Sequence, residues 1–343
     1  MEYRHLGRTG LKVSVISLGG WVTYGGHVGN ELAEQCMKAA YDAGINFFDT
    51  AEAYARGDSE RVMGEVIKKF QWPRCDLVIS TKINWGSHNA SSTEKAQNCV
   101  GLSRKHVVEG LKASLERLQL EYVDVVYAHR PDRDTPMEEV VRGFNHVIER
   151  GWAFYWGTSE WTSEEIADAW RIADKLNMIG PVVEQPQYNL LTRDKVEKQF
   201  APLYEKHGLG ITCFSPLKIG VLTGKYNEFK IPEGSRLATA TDPFTTSVRA
   251  KFDSDEEMKK NIQAARDLKP IADELGITQG QLALAWVIKN PRLSSAIIGA
   301  SKPEQITENV EALKHLDKLT PEVMERIEAV VKNKPVLEPR RFT

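Results

Sequence analysis

From Val15 onward the chain repeats one phrase: a short apolar run, a few loop residues, then an amphipathic stretch of helical period. The apolar runs lie at 15–18, 46–49, 77–81, 123–128, 153–157, 181–185, 210–214 and 295–298. The helical stretches lie at 31–42, 60–69, 103–118, 137–149, 164–175, 195–206 and 279–289, and a further helix opens after Ser301. Ser103 and Ser163 stand where helix caps belong. Strands apolar along their whole length need cover on both faces, which is the signature of a parallel sheet. Eight such units in one direction, with no linker, predict an α/β fold of the (β/α)8 TIM-barrel type as one domain over 1–343. The competing fold is a doubly wound open sheet, but no Gly-x-Gly-x-x-Gly follows the first strand. Residues 3–6 and 11–15, joined by a turn at 7–10, read as an N-terminal hairpin closing one end. Two long loops interrupt the pattern, at 85–101 and 218–255, and long loops at a barrel's C-terminal face are lids or specificity elements unless they are plain surface excursions.

Composition narrows the class of function. A net charge of −2 gives no electrostatic reason to bind nucleic acid or an anionic membrane. No apolar run approaches the ~20 residues that span a bilayer, so direct membrane insertion is not expected. The polar start Met1-Glu2-Tyr3-Arg4-His5 does not read as a signal peptide. Cys36, Cys75, Cys99 and Cys213 are widely spaced, without metal-ligand or redox pairing, which fits a reducing, cytoplasmic setting.

The strand ends carry the chemistry. Asp49, Lys82 and His129 each follow an apolar run, and Tyr54 lies just beyond Asp49. Taken singly they read as a helix cap, a solvated charge, a satisfied histidine and a packing ring. A barrel would bring all four to one mouth, and together they make a proton donor for a carbonyl oxygen. Lys82 would favour the tyrosinate and lower the Tyr54 pKa, Asp49 would hold Lys82 charged, and His129 would orient the oxygen. No activated Ser or Cys nucleophile accompanies them, and His129-Arg130-Pro131-Asp132 offers no second zinc ligand at helical spacing, so no metal is expected.

Longer stretches now match a family. Residues 44–54, 101–106, 110–124, 155–159, 214–217, 224–226 and 298–301 resemble the aldo-keto reductase family, most closely its branch of cytoplasmic potassium-channel beta subunits, and the similarity runs over 3–333. The resemblance implies a barrel that binds NADP(H) and reduces small-molecule aldehydes or ketones. It places the catalytic tetrad on Asp49, Tyr54, Lys82 and His129. It places Ser159 and Gln185 on the nicotinamide carboxamide, with Gly20, Trp21 and Asp49 lining that site. Ser215, Pro216, Leu217 and Gly220 would follow the pyrophosphate, with Lys225 paired to it, and Phe214 and Gly299 are further cofactor-binding residues. Arg236, Ser301, Gln305, Glu308 and Asn309 would hold the adenosine end. Gly299-Ala300-Ser301-Lys302-Pro303 also ends a strand and opens a helix, with Ser301 as candidate cap, a position suited to phosphate. Lys302 and Arg236 add charge there and favour NADP(H) over NAD(H), although Lys302 also reads as an ordinary surface residue.

Three departures from the channel-subunit branch matter. His129 stands where that branch has asparagine, which favours a competent reductase. Glu160 replaces an arginine, and Lys218-Ile219 replace small residues, beside the expected cofactor. Two functions follow: an NADPH-dependent reductase, or a regulatory subunit that binds a voltage-gated potassium channel alpha subunit as a homotetramer and senses redox state through NADP(H). Trp21, Tyr54, Trp85 and the two long loops would wall the pocket, and their aromatic character suits bulky apolar carbonyls, although aromatic residues at a barrel mouth serve equally as packing.

Overall fold

Apolar strands are covered on both faces here by closing the sheet on itself and ringing it with helices. A computed structural model describes residues 1–21, 24, 29–87 and 97–337. It opens with the hairpin β1 (Tyr3–His5) and β2 (Lys12–Ser14). The barrel strands are β3 (Ile16–Gly19), β4 (Phe47–Asp49), β5 (Val78–Ile83), β6 (Val123–Ala128), β7 (Ala153–Ser159), β8 (Val183–Gln185), β9 (Gly210–Cys213) and β10 (Leu293–Ile298). They run parallel in chain order, and β10 returns to pair with β3. That last pairing excludes the open sheet.

Alternate residues of each strand face the barrel interior. Phe47, Val78, Val125, Tyr127 and Val183 pack there with Leu6 and Val13 of the hairpin, so the hairpin plugs the N-terminal end. Their outward neighbours Phe48, Ile79, Val126 and Trp156 join the larger core between wall and helices. One further step along the inward rows leads from Phe47 to Asp49 and from Val183 to Gln185. The same alternation leads from Val78 through Ser80 to Lys82, and from Tyr127 to His129. In these four strands the inward row thus ends in a polar residue at the C-terminal mouth.

The helices are α1 (Asn30–Asp42), α2 (Asp58–Phe70), α3 (Arg104–Leu118), α4 (Met137–Glu149), α5 (Ser163–Lys175) and α6 (Ala201–His207). There follow α7 (Arg236–Thr239), α8 (Pro243–Lys251), α9 (Glu256–Leu275), α10 (Gln279–Ile288), α11 (Pro303–Glu311) and α12 (Pro321–Val331). Ser103 caps α3 as expected, accepting from His106 N. Thr162, not Ser163, caps α5: Glu165 stands three residues beyond Thr162 and completes a reciprocal capping box. The helix expected over 195–206 divides into a wide turn (Lys195–Gln199) and α6, because Pro202 lacks an N–H and is tolerated only in a first turn. The loop over 218–255 is built rather than irregular, holding a tight turn (Lys218–Thr223), α7 and α8. After it comes α9, 20 residues long and absent from the sequence-based reading, started by Asp255 accepting from Glu257 N and Met258 N. The middle of the other long loop, 88–96, lies outside the described residues.

Leu6 is fully buried in the plug, so Leu6→Ala is expected to lower the unfolding free energy by about 2–5 kcal/mol, measured by denaturant titration.

Candidate active site

Asp49, Lys82, Tyr54 and His129 meet at the C-terminal mouth. The Lys82 side chain is fully buried, and its ammonium donates to Asp49 Oδ2 at 2.5 Å, the Thr50 carbonyl at 2.8 Å and Tyr54 Oη at 3.1 Å. All three of its donors are used. Asp49 Oδ1 accepts from Ser80 Oγ at 2.7 Å and Gln185 Nε2 at 3.2 Å, so Asp49 braces Lys82 and does not cap a helix. The His129 ring lies 5.6 Å from the Tyr54 ring and 4.6 Å from that of Trp85, and its buried Nδ1 has no hydrogen-bond partner among the described residues.

Burial decides the protonation states. Desolvation pulls the Lys82 pKa down, but Asp49 and Tyr54 outweigh it and the ammonium is held above the usual lysine range. Desolvation raises the Tyr54 pKa, with Lys82 opposing and Asp49 reinforcing, and the net direction is up. Lys82 therefore pulls in the expected direction without lowering the phenol overall, and Tyr54 stays protonated at neutral pH. Burial, then the Lys82 and Arg130 charges, hold His129 well below the ordinary imidazole range, so it is neutral. The mouth thus offers a protonated phenol touching a cation, beside a neutral imidazole.

The surrounding loops are fastened by a buried carboxylate that sequence analysis did not single out. Glu52 Oε1 accepts from Asn84 N at 2.7 Å, Gly86 N at 2.8 Å and His106 Nε2 at 3.1 Å, gripping the chain on both sides of Trp85. Its place between Asp49 and Tyr54 was the available signal. The backbone is strained here as well. Ala55 (φ 47°), Arg56 (φ 58°), Glu160 (φ 60°), Ser215 (φ 51°), Lys218 (φ 48°) and Ile219 (φ 56°) are left-handed without being glycine. All follow the C-terminal ends of barrel strands, where surrounding contacts must hold such conformations. Glu160 also turns into its loop, taking Gln187 N at 2.7 Å and Lys195 Nζ at 2.8 Å.

The residues expected around a cofactor fall into two groups. The first adjoins the tetrad. Gly20 N donates to the Asp49 carbonyl at 2.7 Å, and a Cβ on Gly20 would lie 2.5 Å from Ser59 Oγ, so no side chain fits. Trp21 is exposed, with the Tyr54 ring at 6.4 Å, Phe244 at 5.2 Å and the Arg236 guanidinium at 4.7 Å. Ser159 Oγ donates to the Gln185 carbonyl at 2.9 Å. Phe214 N donates to the Pro186 carbonyl at 3.1 Å, and the Ser215 carbonyl accepts from Asn189 Nδ2 at 3.0 Å. Pro216 and Leu217 lead on to Gly220 (φ 84°), against which the Lys225 ammonium lies. The Arg236 Nε is buried and unpartnered among the described residues, and desolvation followed by the Arg236 charge lowers the Lys225 pKa.

The second group, Gly299, Ser301, Gln305, Glu308 and Asn309, stands at the end of β10 and on α11, with no hydrogen bond to the tetrad among the described residues. Ser301 is not the cap of α11. Lys302 holds that position without a side-chain bond, because Pro303 starts the helix, and Ser301 N donates instead to Gln305 Oε1 at 2.8 Å. Asn309 is buried, and the Glu308 carbonyl accepts from Gln281 Nε2 at 3.2 Å.

The profile of the Aldo/keto reductase family matches residues 15–332. The chain belongs to the aldo/keto reductase family. It is 50% identical over 335 residues to a probable voltage-gated potassium channel subunit beta of Arabidopsis thaliana, covering 98% of each chain. A protein of the same description from Oryza sativa subsp. japonica gives the same identity and coverage. A putative voltage-gated potassium channel subunit beta of Schizosaccharomyces pombe is 52% identical over 337 residues, covering 98% of this chain and 95% of the relative. Among the described residues of this aldo/keto reductase, no helix is long and apolar enough to cross a membrane, and no cluster of His, Cys, Asp or Glu could hold a metal.

Behind Gln185, on the outward face of β8, lies one more titratable group. Glu184 is fully buried, and Thr158 Oγ1 donates to its Oε2 at 2.5 Å. Burial pushes its pKa up to about 8. The folded state therefore holds a proton that the unfolded chain releases near pH ~4.3, and stability declines as pH rises from there through about 8. Glu184→Gln keeps an acceptor for Thr158 without the titration. The melting temperature of the variant is expected to rise relative to wild type between pH 5 and pH 9, followed by thermal unfolding across that range.

Proposed function

We propose that this chain is an NADP(H)-dependent reductase of aldehydes or ketones. The observation that carries the reading is the buried Lys82–Asp49 pair donating to the protonated Tyr54 beside a neutral His129. The cofactor residues fit that reading: the unpartnered Arg236 Nε suits the 2′-phosphate that separates NADP(H) from NAD(H), and the left-handed run 218–220 with Lys225 suits a pyrophosphate. Ser159 and Gln185 would hold the carboxamide; Phe214, Ser215, Pro216 and Leu217 would flank the pyrophosphate; Gly299, Ser301, Gln305, Glu308 and Asn309 would hold the adenosine.

When bound, NADPH supplies a hydride to the carbonyl carbon. The carbonyl oxygen sits between Tyr54 Oη and the neutral His129 ring, which donates a hydrogen bond and orients it. As negative charge gathers on that oxygen, the O–H bond of Tyr54 breaks and a new O–H forms on the product. The tyrosinate left behind is stabilised by the Lys82 ammonium, which Asp49 keeps in place. Preorganised charge of this kind costs no rearrangement at the moment of reaction.

The relatives' descriptions as potassium channel beta subunits favour a second role, compatible with the first: a subunit that associates with a potassium channel alpha subunit; assembly as a homotetramer, a cytoplasmic setting and redox reporting through a bound cofactor are what the family resemblance adds to this proposal. Identity of 50–52% along nearly the whole chain supports it. A monomer at micromolar concentration in sedimentation would argue against it.

Tyr54→Phe is expected to lower kcat/KM about 10²–10⁴-fold in a nitrobenzaldehyde assay while NADPH binding persists. His129→Asn should cost less, because it keeps a donor. A Tyr54→Phe enzyme as active as wild type sinks the mechanism. Because the Tyr54 pKa is raised, reduction should hold through neutral pH and fall only above the ordinary phenol range near pH ~10.

A further inference from the structure

Arg130 follows His129 directly and carries a positive charge that no assigned role uses. Its guanidinium lies 5.1 Å from the Trp85 ring centre, and Trp85 packs on His129. Nη1 is occupied, donating to the His129 carbonyl at 2.5 Å and to Ser159 Oγ at 3.1 Å. The Nε–Nη2 edge, the one that receives a carboxylate side-on, has no partner among the described residues. The charge reaches the reacting groups, since Arg130 helps to lower His129 and opposes the rise of Tyr54.

Among the described residues, the carboxylates of the neighbouring elements are committed elsewhere. Glu52 holds Asn84 N, Gly86 N and His106. Glu160 holds Gln187 N and Lys195. Asp132 holds Leu102 N, Asp134 N and Thr135 Oγ1. Arg130 is half-buried, and a partly desolvated charge without a counter-ion is costly unless something completes it. In the proposed cofactor placement the phosphates belong with Ser215, Lys225 and Arg236, not here. The anion left to satisfy Arg130 is the substrate's own.

We propose that the preferred substrates are carbonyl compounds bearing a carboxylate, and that Arg130 receives that carboxylate while Tyr54 and His129 hold the carbonyl oxygen. The proposal rests on the reductase reading, and it adds charge to a pocket whose aromatic walls alone suggest apolar substrates. Arg130 is then a specificity-determining residue: it selects which carbonyl compounds are reduced and takes no part in the proton transfer.

The test compares 4-carboxybenzaldehyde with its methyl ester, in wild type, Arg130→Met and Arg130→Lys. Wild type should prefer the acid, with a KM that rises with ionic strength for the acid only. Arg130→Met should reduce the acid-over-ester preference in kcat/KM about 10-fold or more, mainly through KM, and Arg130→Lys should restore part of it. A second measurement needs no turnover: benzoate should quench tryptophan emission of the NADP-loaded protein through Trp85, benzamide should not, and Arg130→Met should abolish the difference. Equal handling of acid and ester by wild type, with benzoate no better than benzamide, overturns the proposal. So does an Arg130→Met enzyme that loses NADPH affinity with its acid preference intact, since Arg130 then serves the cofactor. If neither aldehyde is reduced but benzoate binding depends on Arg130, the reductase reading falls and the anion site stands.

Discussion

A lysine ammonium with no exposed surface is the constraint around which this structure is arranged. Burying one charge is prohibitive, and burying two is tolerable only when each is matched and fully hydrogen-bonded. Lys82 meets that condition with Asp49, the Thr50 carbonyl and Tyr54, and Asp49 meets it with Ser80 and Gln185. These partners come from β4, β5, β8 and the loop after β4, elements that only a closed wall brings within reach of one another. The pair therefore depends on the barrel. Removing either partner would leave an unmatched charge at its centre.

The same dry surroundings set the character of the mouth. Low dielectric strengthens every charge left there, which is why His129 stays neutral and why the phenol of Tyr54 keeps its proton although an ammonium touches it. Strain is gathered in the same place. Of the non-glycine residues with left-handed backbone, Gln71, Gln119 and Lys332 merely end α2, α3 and α12, while Ala55, Arg56, Glu160, Ser215, Lys218 and Ile219 crowd the loops of the mouth. A β-branched residue such as Ile219 holds that conformation only where its neighbours insist on it. The rigid wall below makes such insistence affordable.

Much of this was legible in the chain because apolar strands with polar ends are unambiguous. The run 123–128 became β6 without change, and the residues closing the apolar runs, Asp49, Lys82 and His129, converge as alternation requires. What could not be read followed from information outside each local window. The cap of α5 moved from Ser163 to Thr162 because of a glutamate three residues further on, and 195–206 broke because Pro202 tolerates only a first turn. The α9 stripe Ile262, Ala265, Leu268, Ala272 was present in the sequence, but a twenty-residue helix was not expected inside an apparent excursion. The direction of the Tyr54 shift and the isolation of Arg130 depend on burial and on what other carboxylates hold, and sequence spacing encodes neither.

The pairing of β10 with β3 has a temporal side. Ser295 Oγ donates to the Ser14 carbonyl at 2.7 Å and accepts from Ser17 Oγ at 2.8 Å, the latter across 278 residues of chain. At synthesis rates of about 5–20 residues per second, β3 waits on the order of tens of seconds for the partner that closes the wall. During that interval β3, all of whose residues are buried in the finished fold, is an unpaired edge able to recruit another strand. A nascent chain of this kind depends on something covering that edge until its last strand is made.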